Sequence, residues 1–125
     1  MKRKLSLVLL SCALVLLCAA CAAPAPIAAP TITIRVTTSL SGLSSEATES
    51  TITAPLENLL VSLRSLEQMH AMSAHGTSTI WIEFEAIGAE HALRMVKERV
   101  ARAASLLPAN VVGPVVTRSD NPWRR

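Results

Sequence analysis

Residues 72–85 read M-S-A-H-G-T-S-T-I-W-I-E-F-E, and the fold turns on how they alternate. Ile80, Ile82 and Phe84 fall on one side of a period-two pattern, and Trp81, Glu83 and Glu85 on the other, which predicts a half-buried strand. Gly76 closes a weaker strand candidate around Leu66–His75, and Gly88 ends the clear one. Toward the N-terminus, T-I-T-I-R-V-T (31–37) alternates in the same way, with Ile32, Ile34 and Val36 opposite Thr31, Thr33 and Arg35. Thr38–Ser45, with Gly42 and several hydroxyl residues, predicts a loop ending in a helix N-cap at Ser44 or Ser45. Glu46 and Glu49 then suit the positive end of a helix dipole.

The helix that follows places Ile52, Leu56, Leu59, Leu60 and Leu63 on one stripe. Pro55 interrupts it and predicts either a kink or a short first helix with Pro55 opening a second. Toward the C-terminus, a second amphipathic helix is expected over about Ala89–Leu107. Its stripe is Ala92, Leu93, Val96, Val100, Ala103 and Leu107, and Pro108 stops it. A last strand over Val111–Thr117 contains Pro114, which points to an edge position or a bulge. The order is β-α-β-β-α-β. Right-handed crossovers then give an α+β, ferredoxin-like βαββαβ fold, a four-stranded antiparallel-type sheet with two helices on one face. The other face would carry Thr33, Arg35, Trp81, Glu83 and Glu85.

Before this body lies a segment of different character. Residues 1–23 have a basic start (M-K-R-K), an apolar run from Leu5 to Leu17 and a small-residue stretch, as in an export signal. C-A-A-C (18–21) resembles the bacterial lipoprotein box, which makes Cys21 the candidate lipidated residue; Cys18 stands where that box usually has leucine. Two other readings stay open. Leu5–Ala23 has no charge and is long enough to span a membrane uncleaved, or cleavage near Ala22 or Ala23 would release the body. Each delivers the body outside the cytoplasm, with membrane attachment through an N-terminal lipid or helix in the first two. Ala22 carries no acidic retention signal, which favours the outer membrane for a lipid-anchored form. The expected organisation is a signal peptide at 1–20 (or a membrane anchor at 5–23), a Pro/Ala linker at 21–30, one domain at 31–120 and a tail at 121–125. Trp123-Arg124-Arg125 reads as a frayed end.

Composition narrows the function. The net charge of +3 equals Lys2, Arg3 and Lys4, so the body is neutral and lacks the basic face that a nucleic-acid binder needs. All three cysteines (Cys12, Cys18, Cys21) precede the body, which leaves it no thiol nucleophile or Cys-ligated zinc. Met69, His70, Met72 and His75 are soft-metal ligand types. On a strand, however, His70 and Met72 share a face, Met69 points the other way and His75 lies in the turn. Glu83 and Glu85 lie on an open sheet face, where a solvated or partner-facing surface is expected in place of a glycosidase pair. Ser44 and Ser45 read as caps, and His91 as a surface residue. No catalytic, cofactor or metal site is expected. The candidate partner face is Arg35, Trp81, Glu83 and Glu85.

The stretches P-T-I-T-I-R-V (30–36), T-I-T-A-P-L-E (51–57), M-S-A-H-G-T-S-T-I-W-I-E-F-E (72–85), R-V-A-R-A-A-S-L-L-P (99–108) and G-P-V-V-T-R-S-D (113–120), in this order and spacing, resemble the first periplasmic porter subdomain of resistance–nodulation–division (RND) efflux pumps. The resemblance covers about residues 30–120. It implies that Ala89–Leu107 corresponds to the helix that lines the centre of a trimer, and that pump subunits or a homotrimer are possible partners. Residues 86–90 (A-I-G-A-E) replace the Gly-Thr-Asp-like run that usually precedes that helix. The sequence stops at Arg125, where a pump continues for many hundreds of residues. Proton-driven pumping needs ionisable residues buried in membrane helices. The expectation is therefore an accessory or truncated efflux component without transport activity of its own, or a free-standing lipoprotein binding module.

Overall fold

The computed structural model describes residues 24–25 and 30–123. Strand β1 (Thr31–Ser39) leads into a helical stretch over residues 45–60, here α1. Strands β2 (Leu66–Ala74) and β3 (Thr77–Glu85) follow, then α2 (Ala89–Ala101), a 3-10 turn (Arg102–Ser105) and β4 (Val112–Ser119). The strands form one sheet in the order β2-β3-β1-β4, with every pairing antiparallel. That order and the two helices make the domain α+β and ferredoxin-like.

Alternation decides what the sheet buries. Ile34, Val36, Ile80, Ile82 and Phe84 are fully buried on the inner face, against Ile52, Leu56 and Leu60 of α1 and Ala92, Val96 and Val100 of α2. Burying each large aliphatic or aromatic side chain stabilises the fold by about 1.5–3 kcal/mol. The core therefore rests on residues chosen by spacing alone.

Pro55 sits in the first turn of a second α-helical piece, as the second of the two readings has it, but the helical stretch does not break ahead of it. Residues 45–48 are α-helical, Glu49–Thr53 form a π turn, and Ala54–Leu60 return to α. The Ala54 N–H reaches back five residues to the Glu49 carbonyl. Proline has no N–H and its ring crowds the carbonyl four residues earlier; one widened turn absorbs both problems, so the apolar stripe stays on the sheet. Ser44 caps the start, its Oγ accepting from the Ala47 N–H at 3.1 Å. At the other end the Arg99 guanidinium of α2 donates to Ser62 Oγ at 2.6 Å and to the Leu59 carbonyl at 3.4 Å, a cation at the negative end of the dipole.

A set of hydroxyls locks α1 to the β2–β3 turn. The Gly76 N–H donates to Thr48 Oγ1 at 3.0 Å, and Thr53 Oγ1 donates to Ser78 Oγ at 2.8 Å. Ser73 Oγ lies 2.7 Å from Thr53 Oγ1 and donates to the Glu49 carboxylate. Thr48, Thr53 and Ser78 are fully buried, so these bonds satisfy groups that would otherwise be costly to desolvate. Gly76 has φ 71, and a Cβ there would collide with the Leu40 carbonyl. Only glycine fits this turn.

Several boundaries differ from expectation, among them the end of β1, which runs to Ser39 into the expected loop. The α-helical part of α2 ends at Ala101 and the chain tightens into the 3-10 turn, short of Leu107. Strand β4 runs to Ser119, two residues past the expected end. It is an edge strand, and the pairing slips opposite it between Thr37 and Ser39, so Pro114 marks both an edge and an irregularity.

Candidate functional site

The outer face is built by the same alternation in rows across the strands. One row is Thr117, Arg35, Trp81 and His70; the next is Ser119, Thr33, Glu83 and Gln68. The register therefore brings Arg35, Trp81, Glu83 and Glu85 onto one face, but their exposure divides them. Arg35 and Glu85 are open to solvent, and Trp81 is half-buried. Glu83 is 2% exposed and Thr33 is also buried. Of the two carboxylates expected on an open, solvated or partner-facing surface, Glu85 is solvated and Glu83 is buried within the single chain.

The residues after β4 cover part of this face. Trp123, read from sequence as part of a frayed end, lies over the sheet. Its ring centroid is 6.1 Å from Trp81 in an edge-to-face arrangement (83°) and 6.0 Å from His70. Aromatic pairs at such separations attract beyond simple burial. The Trp123 N–H donates to Asn121 Oδ1 at 2.7 Å, which folds the segment back on itself. Nothing local in residues 120–123 signals this, because the partners His70 and Trp81 lie some forty to fifty residues upstream in the chain. Trp123 itself stays 59% exposed, so the aromatic pair still offers surface to a partner.

The remaining candidates sort by place. Met69 points inward and packs against the core, while His70 and Met72 face outward and His75 sits in the turn, so the four do not converge. His70 Nε2 lies 3.3 Å from Gln68 Oε1. His91 is exposed on α2, its Nδ1 2.9 Å from Arg94. Ser44 is a cap. Cys21 and the Leu5–Ala23 run lie outside the described residues. Among the described residues, no helix is long and apolar enough to cross a membrane. Within α1, burial pushes the Glu57 carboxyl above its ordinary range, and the negative charge of Glu49 adds to the effect.

Helix α2 presents a second surface. Its sheet side is Ala92, Val96 and Val100, and its opposite side exposes Glu90, His91, Arg94, Lys97 and Glu98. The result is a ferredoxin-like layer with one packed face, one partly covered face and a charged outer helix.

Comparison with known families agrees. The model of the AcrB/AcrD/AcrF family matches residues 1–123, and the chain belongs to that family, the RND permeases. The resemblance carried by the five stretches in residues 30–120 is thus a family relationship. Porter domains of RND permeases face the periplasm within the cell envelope. Members of the family form trimers and work with partner pump subunits.

Proposed function

We propose that this chain is a membrane-tethered, extracytoplasmic porter-type component of an efflux assembly, acting by docking and not by catalysis, with no transport activity of its own. The observation that carries the reading is the family match over residues 1–123 on a ferredoxin-like body whose surfaces suit contact more than chemistry. The exposed side of α2 is the surface for trimer-type packing, by analogy with the pore-lining helix. The outer face around Arg35, Trp81 and Glu85 is the surface for neighbouring subdomains or subunits. Tethering is assigned to acylation of Cys21, with an uncleaved Leu5–Ala23 helix as the competing anchor.

Deleting the gene tests the role. Lowered tolerance to drugs, bile salts or metals, restored by the full chain, is expected; unchanged tolerance to all three contradicts it. Fractionating cells that carry Cys21→Ser tests the tether: loss from the membrane fraction supports acylation, and full retention supports the helix. A second reading, a free-standing lipoprotein binding module, is favoured by one observation. Trp123 covers part of the outer face from within the chain, which reduces what a neighbouring subdomain would need to bury. Native mass spectrometry separates the two: a monomer carrying a ligand supports the module, and a trimer supports the porter-type component.

A further inference from the structure

We propose that the free edge of β2 pairs with the same edge of a second copy of this chain, in antiparallel register about Ala71, so that two four-stranded sheets become one continuous sheet. The order β2-β3-β1-β4 leaves two edges, and they differ. Strand β4 contains Gly113-Pro114 and sits where the pairing slips, both of which discourage a further strand. Along β2 the pairing is irregular only between Leu66 and Gln68. Residues 68–74 (Q-M-H-A-M-S-A) contain no proline, glycine or lysine, and no described strand lies beyond them.

Backbone direction follows from two hydrogen bonds. The Leu40 N–H donates to the Gly76 carbonyl at 2.7 Å, and the Glu85 N–H donates to the Ser65 carbonyl at 3.4 Å. The first sends the even-numbered backbone groups of β3 toward β1; the second sends the odd-numbered ones toward β2. Residues 77, 79, 81 and 83 therefore bond to Ala74, Met72, His70 and Gln68, their partners in register. Met69, Ala71 and Ser73 are left with their N–H and C=O groups aimed at the open edge.

A two-fold axis at Ala71 uses that edge completely. Ala71 meets Ala71 and Met69 meets Ser73 as hydrogen-bonded pairs, with the whole of 68–74 overlapped. His70 falls opposite Met72, a favourable sulfur–aromatic contact, and the exposed Glu67 falls opposite the exposed His75. Met72, 51% exposed in one chain, gains a neighbour. Shifting the axis to His70 would set His70 against itself. Shifting it to Met72 would run Glu67 beyond the β2–β3 turn. Inner residues stay on the inner side, so the helices of both copies remain on one face.

The test uses the full chain in detergent. Ala71→Pro removes an N–H that bonds nothing within one chain, so circular dichroism stays as in the unaltered protein. In sedimentation equilibrium the unaltered chain shows a concentration-dependent doubling of its mass, from monomer or from trimer, and Ala71→Pro raises the dissociation constant of that step by roughly tenfold or more. A second measurement is independent of that variant's folding. With Cys12, Cys18 and Cys21 replaced by serine, mixing Glu67→Cys with His75→Cys chains yields disulfide-linked dimers, and either variant alone does not. A chain that stays monomeric, an assembly unaltered by folded Ala71→Pro, or equal cross-linking of Glu67→Cys alone overturns the proposal. A trimer insensitive to Ala71→Pro does so while leaving the porter-type reading standing.

Discussion

On its inner face the sheet presents Ile34, Val36, Ile80, Ile82 and Phe84, all fully buried beneath α1 and α2. On the outer face the same strands present Arg35 and Glu85 to water, while Glu83 is buried and Trp81 lies under Trp123. The inner face is organised by a non-directional force, so any residue of the right type at the right spacing joins it. The outer face depends on particular contacts from a distant part of the chain. One face can be altered only at the expense of the fold; the other can be altered to test what it binds.

The largest effect expected is on the inner face. Phe84→Ala lowers stability by about 3–5 kcal/mol, read from urea denaturation, because the space it leaves can only partly close. A loss below about 1 kcal/mol would mean that this face is loosely packed. Next comes the asymmetry within the outer face. Glu83→Ala costs about 1–3 kcal/mol, since it removes a buried, partnered carboxylate. Glu85→Ala, two residues along on the same side, stays within about 0.5 kcal/mol. Equal costs would erase the distinction.

Trp123→Ala has a smaller effect, about 0.5–1.5 kcal/mol. It also opens Trp81 to acrylamide, so the remaining tryptophan fluorescence is quenched more efficiently; unchanged quenching would place Trp123 off the sheet. The smallest effect concerns α1, which covers the inner face. Because the Glu57 carboxyl titrates above its ordinary value in the folded chain, its contribution is most favourable below that value and is lost as pH rises through the raised one. Glu57→Gln therefore makes the protein slightly more stable near neutral pH and flattens stability against pH across the weakly acidic range. Urea midpoints across that range check it, and a variant less stable at neutral pH contradicts it.

Much of the fold was legible because its determinants are local. The strands at 31–37 and 80–85, both helix stripes, the Ser44 cap and the edge character around Pro114 all follow from spacing and residue chemistry. Pro55 in the first turn of a second helical piece was legible; the π turn that joins it to the first was not, since a kink, a break and a π turn share one sequence signature. The Thr48, Thr53, Ser73 and Ser78 bonds were equally hidden, because hydroxyls at ordinary surface frequencies declare burial only in three dimensions. On the candidate face, the identity of the outward residues could be read from the alternation. Which of them stay exposed could not, because Trp123 and the neighbouring outer-face residues settle it from a distance.

The account rests on this chain working within an RND efflux assembly. The most direct test places a photo-activated cross-linker at His91, on the exposed side of α2, in the full chain expressed in its native envelope. The account predicts cross-links to a second copy of the chain or to an RND pump subunit. Cross-links only to cytoplasmic proteins, or none at His91 when the chain is present in the envelope, would contradict it.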